Sequence, residues 1–134
     1  MKLHFPYKVK PSPEFYHIYN IEVRLQIRGK KTTDIFDFTF DTGAEVTSIP
    51  VSAAIKLGIN LKKCPRIKMS GFEGTIVTVY RSNINVVFNK KVLTIPCVFH
   101  PNEEVPLLLG GVGILDKFTI TLDARKRVAT FEEI

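Results

Sequence analysis

The stretch Asp34-Ile35-Phe36-Asp37-Phe38-Thr39-Phe40-Asp41-Thr42-Gly43-Ala44 decides how this chain is read, because its alternation stops at an acid followed by a turn. Successive side chains of a β-strand point to opposite faces, so Phe36, Phe38 and Phe40 share one face while Asp37, Thr39 and Asp41 share the other. The three aromatics bury the strand, and the alternation carries Asp41 to its end. Thr42-Gly43 then turns the chain, the glycine allowing another backbone to approach closely. A carboxylate held at a strand terminus beside a small hydroxyl suits acid–base chemistry. Asp, Thr and Gly are also ordinary turn formers through local hydrogen bonds, so the tripeptide alone decides nothing. Its setting does: an apolar strand precedes it, and Pro50-Val51-Ser52-Ala53-Ala54-Ile55-Lys56-Leu57 follows as a short helical run with Gly58 at its C′ position.

Working outward, Ile21, Val23, Leu25 and Ile27 alternate with Glu22, Arg24, Gln26 and Arg28, which predicts a half-buried strand from Ile18. Gly29-Lys30-Lys31 turns it into the organising strand. The first 17 residues carry Pro6, Pro11 and Pro13 and are expected to form an extended surface arm, leaving 18–134 as the domain proper. Downstream, Pro65 to Tyr80 reads as a hairpin tipped by Gly71-Phe72-Glu73-Gly74. A turn is expected at Arg81-Ser82-Asn83, then strands through Ile84, Val86 and Phe88 and through Leu93, Ile95, Cys97 and Phe99. Val105 to Gly111 suits a buried strand. Val112 to Lys117 suits a second short helix, and Phe118 to Leu122 and Val128 to Phe131 close the chain as strands. Many short strands with one or two brief helices predict an all-β fold, a single-domain closed barrel.

Composition narrows the classes. At 134 residues the chain can bury about two-thirds of its unfolded surface and needs no staples. No apolar run approaches the roughly 18 residues of a membrane span, and Pro6 interrupts any leader-like start, so a cytoplasmic protein without membrane contact is expected. The net charge is +6, but the 19 Lys and Arg fall in small groups at Arg28-Gly29-Lys30-Lys31, Lys62-Lys63, Lys90-Lys91 and Arg125-Lys126-Arg127. Each group sits at an expected turn with no aromatic interleaved for base stacking, which argues against a nucleic-acid partner. His4, His17 and His100 are scattered singly, so no metal and no cofactor are expected. Cys64 and Cys97 are expected as free thiols.

The Asp41-Thr42-Gly43-Ala44 segment in its setting resembles the retropepsin-like aspartic proteases, single-domain relatives of pepsin. A second region joins it: Leu107-Leu108-Leu109-Gly110 resembles the family's paired-hydrophobic-glycine segment, whose strand wedges the catalytic loop from beneath. The continuation from Gly113 to Asp123 is closer to the soluble microbial members. The resemblance implies that Asp41 is the catalytic acid and that the Thr42 hydroxyl ties two copies of the loop together. Gly43 would offer its backbone to a polypeptide substrate, Ala44 would pack behind the loop and Gly110 would support it. Glu45 would touch substrate backbone, and Gly71, Phe72, Glu73 and Gly74 would form a flap over the substrate. Gly111-Val112 stands where retroviral members carry a polar pair, which implies a weak dimer.

The chain holds one Asp-Thr-Gly, so the implied dyad needs an Asp41 from each subunit of a homodimer. The chain ends, before Phe15 and from Val128 to Phe131, are the expected contact edges. The alternative expectation is a catalytically silent dimer of the same fold serving as a protein-binding module.

Overall fold

The alternating runs fold as strands in the computed structural model, which describes residues 1–70 and 74–134. Along the chain lie β1 (Lys2–Ser12), β2 (Tyr16–Arg28), β3 (Thr33–Phe40), β4 (Thr47–Pro50) and the helix α1 (Val51–Lys56). After a short 3-10 helix at Leu61–Lys63 come β5 (Arg66–Ser70), β6 (Ile76–Phe88), β7 (Lys91–His100), β8 (Leu108–Leu109), β9 (Phe118–Asp123) and β10 (Val128–Glu133). Strands dominate the described residues, with a single α-helix among them, as expected for an all-β fold.

Burial follows the period of two. On β2, Val23, Leu25 and Ile27 are buried; on β3, Phe38 and Phe40 are buried and Phe36 is half-covered. The outer faces are tied by charge. Arg24 stands directly opposite Asp37, its Nε 2.8 Å from Oδ1, and this guanidinium holds the Asp37 carboxyl below the usual carboxylate range. β3 pairs with β8, β8 with β4, β4 with β7, β7 with β6, and β6 with β2, so the strands close on themselves in a ring. β5 flanks β6, and β1, β10 and β9 continue from β2.

The helix forms as its punctuation predicts. Pro50 is the N-cap, Leu57 the C-cap, and Gly58 takes φ +74°. The Gly58 N–H donates to Ile55 and the Ile59 N–H to Ala54, the paired bonds of a Schellman motif. Its first turn is capped from a distance: the Glu103 carboxylate accepts from the Ser52 backbone N–H at 3.1 Å and from its hydroxyl at 2.5 Å.

Four expectations change. Arg81-Ser82-Asn83 is not a turn, because β6 runs through it, paired to Val98, Cys97 and Pro96 of β7. The apolar run Val105–Gly111 contributes only Leu108–Leu109 as strand. Val112–Lys117 forms successive turns rather than a helix, since Gly113 at φ +83° takes a conformation a helix cannot hold. The chain-end edges are only partly free: β10 is paired on both sides, while β1 takes one partner at a time, β10 along Lys2–Pro6 and β2 along Tyr7–Ser12.

That placement makes the C-terminal strand part of the core rather than a detachable edge. The fully buried Phe131 ring meets Phe5 and Phe40 with centroids 5.2 Å away in each case, and Phe118 at 6.1 Å. Phe131→Ala should therefore cost about 3–5 kcal/mol in urea unfolding. Trimming from Val128 onward should unfold the protein outright, and a stable truncated fold would contradict this packing.

Candidate active site

β3 delivers Asp41 to a loop held both by its own turn and by the distant β8 segment. The Asp41 N–H donates to the Leu109 carbonyl at 3.1 Å, and the Asp41 carbonyl accepts from the Ala44 N–H at 3.1 Å, closing the turn. Oδ1 of Asp41 accepts from the Gly43 N–H at 2.8 Å, so the carboxylate is oriented as well as positioned. A Cβ on Gly43 would stand 3.2 Å from that oxygen, tighter than most side-chain contacts. Asp41 is half-buried, while Thr42 and Gly43 are exposed at the tip.

The loop is wedged from beneath. β8 lies between β3 and β4, with Leu108 opposite Thr39 in parallel and opposite Ser48 in antiparallel register. Leu109 is fully buried. Beyond it, the Gly110 N–H donates to the Thr47 hydroxyl at 3.1 Å; Thr47 is the one buried polar side chain among the described residues. A Cβ on Gly110 would fall 2.3 Å from the Val46 carbonyl carbon, so only glycine fits there without moving backbone. The Gly111 N–H then donates to Ala44 at 3.0 Å and the Val112 N–H to Glu45 at 2.8 Å. Residues 109–112 thus bind the underside of residues 41–47, satisfying backbone groups that burial would otherwise leave unpaired.

The remaining aspartates are engaged elsewhere or peripheral. Asp34 sits 3.6 Å from the Lys56 ammonium, Asp37 is bound to Arg24, and Asp123 accepts from the Lys126 N–H at 3.0 Å. Asp116 lines an open hollow of about 540 Å³ beside the loop, together with Thr42, Glu45, Val112 and Leu115. Val112 and Leu115 are about half exposed, at 48% and 50%. Sequence reading missed Thr47, Leu115 and Asp116. Thr47 looks like any strand residue until the fold sets Gly110 over it, and the other two lie in a segment whose expected helix does not form.

Other chemistries find little support. Both thiols are free, and Cys97 is wholly buried, which pushes its thiol up to about 12, so it stays protonated and inert. No group of three or more metal-ligating side chains is found among the described residues. Among them, too, no helix is long and apolar enough to cross a membrane.

The arms of the expected flap are a regular hairpin, β5 against β6, from Arg66 opposite Tyr80 to Ser70 opposite Ile76. Gly74, expected within the tip, has φ +73°. Gly71, Phe72 and Glu73, the other residues expected there, lie outside the described residues.

Residues 23–112 match the model of the family described as "gag-polyprotein putative aspartyl protease". The matched span contains both the Asp41 loop and its Gly110 support. A search among curated proteins found no match for the chain. Among solved structures, the fold is similar to the crystal structure of a retropepsin-like aspartic protease from Rickettsia conorii. The TM-score is 0.65 at 16% identity, over 98% of this chain and 90% of that one.

Proposed function

Because the chain belongs to the gag-polyprotein aspartyl protease family and is an aspartic-type endopeptidase, we propose that Asp41 is its catalytic acid and that two copies of the chain together build the dyad. One observation carries this reading. Asp41 is the acid that closes the central strand, has its carboxylate oriented by the Gly43 N–H, and forms no ion pair among the described residues.

Two such carboxylates brought about 3 Å apart hold one proton between them, because ionising both would place like charges in contact. The ionised partner takes a proton from a bound water as the water oxygen attacks the peptide carbonyl carbon. The protonated partner gives its proton to the carbonyl oxygen. Collapse of the resulting diol breaks the C–N bond, with a proton passing to the departing amine. Gly43 offers backbone to the substrate chain, and the exposed Glu45 stands beside it. Thr42 links the two loops, and the β5–β6 hairpin, through Gly71, Phe72, Glu73 and Gly74, closes over the bound peptide.

With β10 paired on both sides, the contact between copies falls on the face that carries the loop. The exposed Val112 and Leu115 supply apolar area there. With Gly111-Val112 in place of a polar pair, the dimer should dissociate at low concentration.

Digestion of a peptide library over a range of enzyme concentrations tests this function. Cleavage products read by mass spectrometry should appear with specific activity that rises through the dimer dissociation constant. The rate should peak on the acid side of neutral and fall once the shared proton leaves. A fully active monomer by sedimentation, or a rate that keeps climbing into the alkaline range, would rule out the shared dyad.

A further inference from the structure

Arg28 and Lys30 read from sequence as solvated charges on a hairpin tip, but the fold sets them at the mouth of a hollow. This cleft, about 270 Å³, lies where the β2–β3 turn meets the end of α1 and the middle of β6. The turn is locked in place: a Cβ on Gly29 would stand 2.6 Å from the Leu57 carbonyl oxygen, and the Lys30 N–H donates to that same carbonyl at 3.1 Å. The Lys30 stem runs along Gly58, where a Cβ would meet it at 3.4 Å.

The charged side chains that line the hollow, Arg28 and Lys30, are both donors. Neither Arg28 nor Lys30 forms an ion pair among the described residues, and no carboxylate lines the cleft. Asn85, opposite Arg28 in the β2–β6 register, has its Oδ1 occupied by the Thr94 hydroxyl at 2.7 Å. Asn83 has its Oδ1 occupied by the Arg81 guanidinium at 3.2 Å. Each carboxamide also carries an NH₂ that can donate. Between these groups the lining is aliphatic, with Leu57 buried and Ile59 half-buried.

We propose that this hollow is a binding site for a carboxylate carried on a short aliphatic body. A planar guanidinium pairs with a carboxylate through two parallel bonds, with the ammonium and carboxamide donors taking the remaining lone pairs. The aliphatic body covers the wall that a bare inorganic anion would leave wet. The carboxylate can belong to a free acid or to an acidic peptide side chain, since both present the same group. The hollow sits at the opposite end of β3 from Asp41, eight residues or roughly 26 Å along the strand, so its occupant does not compete for the catalytic loop.

Amide NMR titration of the intact protein tests this with three probes: isocaproate, acetyl-Leu-Glu-Leu-amide and inorganic phosphate. Saturable shifts should be confined to the backbone of Gly29, Lys30 and Ile59 and the side-chain amides of Asn83 and Asn85. Affinity for the carboxylates should exceed that for phosphate by about ten-fold, and should fall by about ten-fold or more in the double variant Arg28→Gln, Lys30→Gln. Equal affinity for isocaproate and peptide marks the carboxylate and its aliphatic body as sufficient, and tighter peptide binding identifies a polypeptide ligand. Peptidase activity of the double variant should match wild type. Shifts spread equally over Lys62-Lys63, Lys90-Lys91 and Arg125–Arg127, equal binding of phosphate, or binding unchanged in a folded double variant would each overturn the proposal.

Discussion

Asp41→Asn is expected to leave the fold intact and to lower kcat/KM by about a thousand-fold or more on any peptide the wild type cleaves. The two side chains are nearly isosteric, and the Asn carbonyl oxygen can still accept from the Gly43 N–H, as Oδ1 now does at 2.8 Å. What disappears is the ability to exchange a proton with water, in both halves of the dyad at once. Melting temperature should move by only about a degree or two, since one neutral hydrogen bond replaces one charge-assisted bond at a half-exposed site. Sedimentation of the variant separates lost chemistry from lost assembly. A dimer that cleaves at the wild-type rate would remove Asp41 from the mechanism.

Gly110→Ala should damage stability and activity together. The added methyl would fall 2.3 Å from the Val46 carbonyl carbon, 2.5 Å from its oxygen and 2.8 Å from the Thr47 nitrogen. These are backbone atoms, so the only relief is to push residues 46–47 away from β8, which also strains the bond from the Gly110 N–H to the Thr47 hydroxyl. Overpacking of this kind costs about 1–3 kcal/mol. The same displacement moves the Asp41 loop, and a shift near 1 Å lowers rate about a hundred-fold. The neighbouring Gly111→Ala is the control, because the tight contact of its methyl is with the half-exposed Leu115 side chain at 3.0 Å, which can swing aside, and the Ala44 carbonyl oxygen is at an ordinary 3.8 Å. Urea unfolding and peptidase kinetics on both variants give the comparison. Gly110→Ala with Gly111-like effects would show that the wedge is looser than the contact distances require.

Much of this was readable in the chain itself, for a reason that is local. Phe36, Phe38 and Phe40 bury one face whatever they pack against, so the strand and the position of Asp41 at its end follow from a period of two. The helix at Val51–Lys56 was equally legible, because Pro50 and Gly58 act through their own backbone preferences. Arg81-Ser82-Asn83 misled, since polar residues resemble a turn when nothing shows that β7 lies alongside to pair with them. Val112–Lys117 misled in the same way, its apolar pattern being compatible with a helix until Gly113 takes a positive φ.

Three things required the assembled fold. Gly110 could be singled out by motif, but its need for a bare Cα arises from Val46, a residue 64 positions earlier that β4 brings beneath it. The chain ends looked like free edges, and only topology could show that β1 and β10 pair with each other and bury Phe131 against Phe40. Arg28 and Lys30 looked like solvated charge until Leu57 and Asn85 closed a hollow around them. Local pattern thus determines which residues form strands and where the acid sits. Which distant backbone or side chain meets them is set by non-local packing, to which a strand's own periodicity is blind.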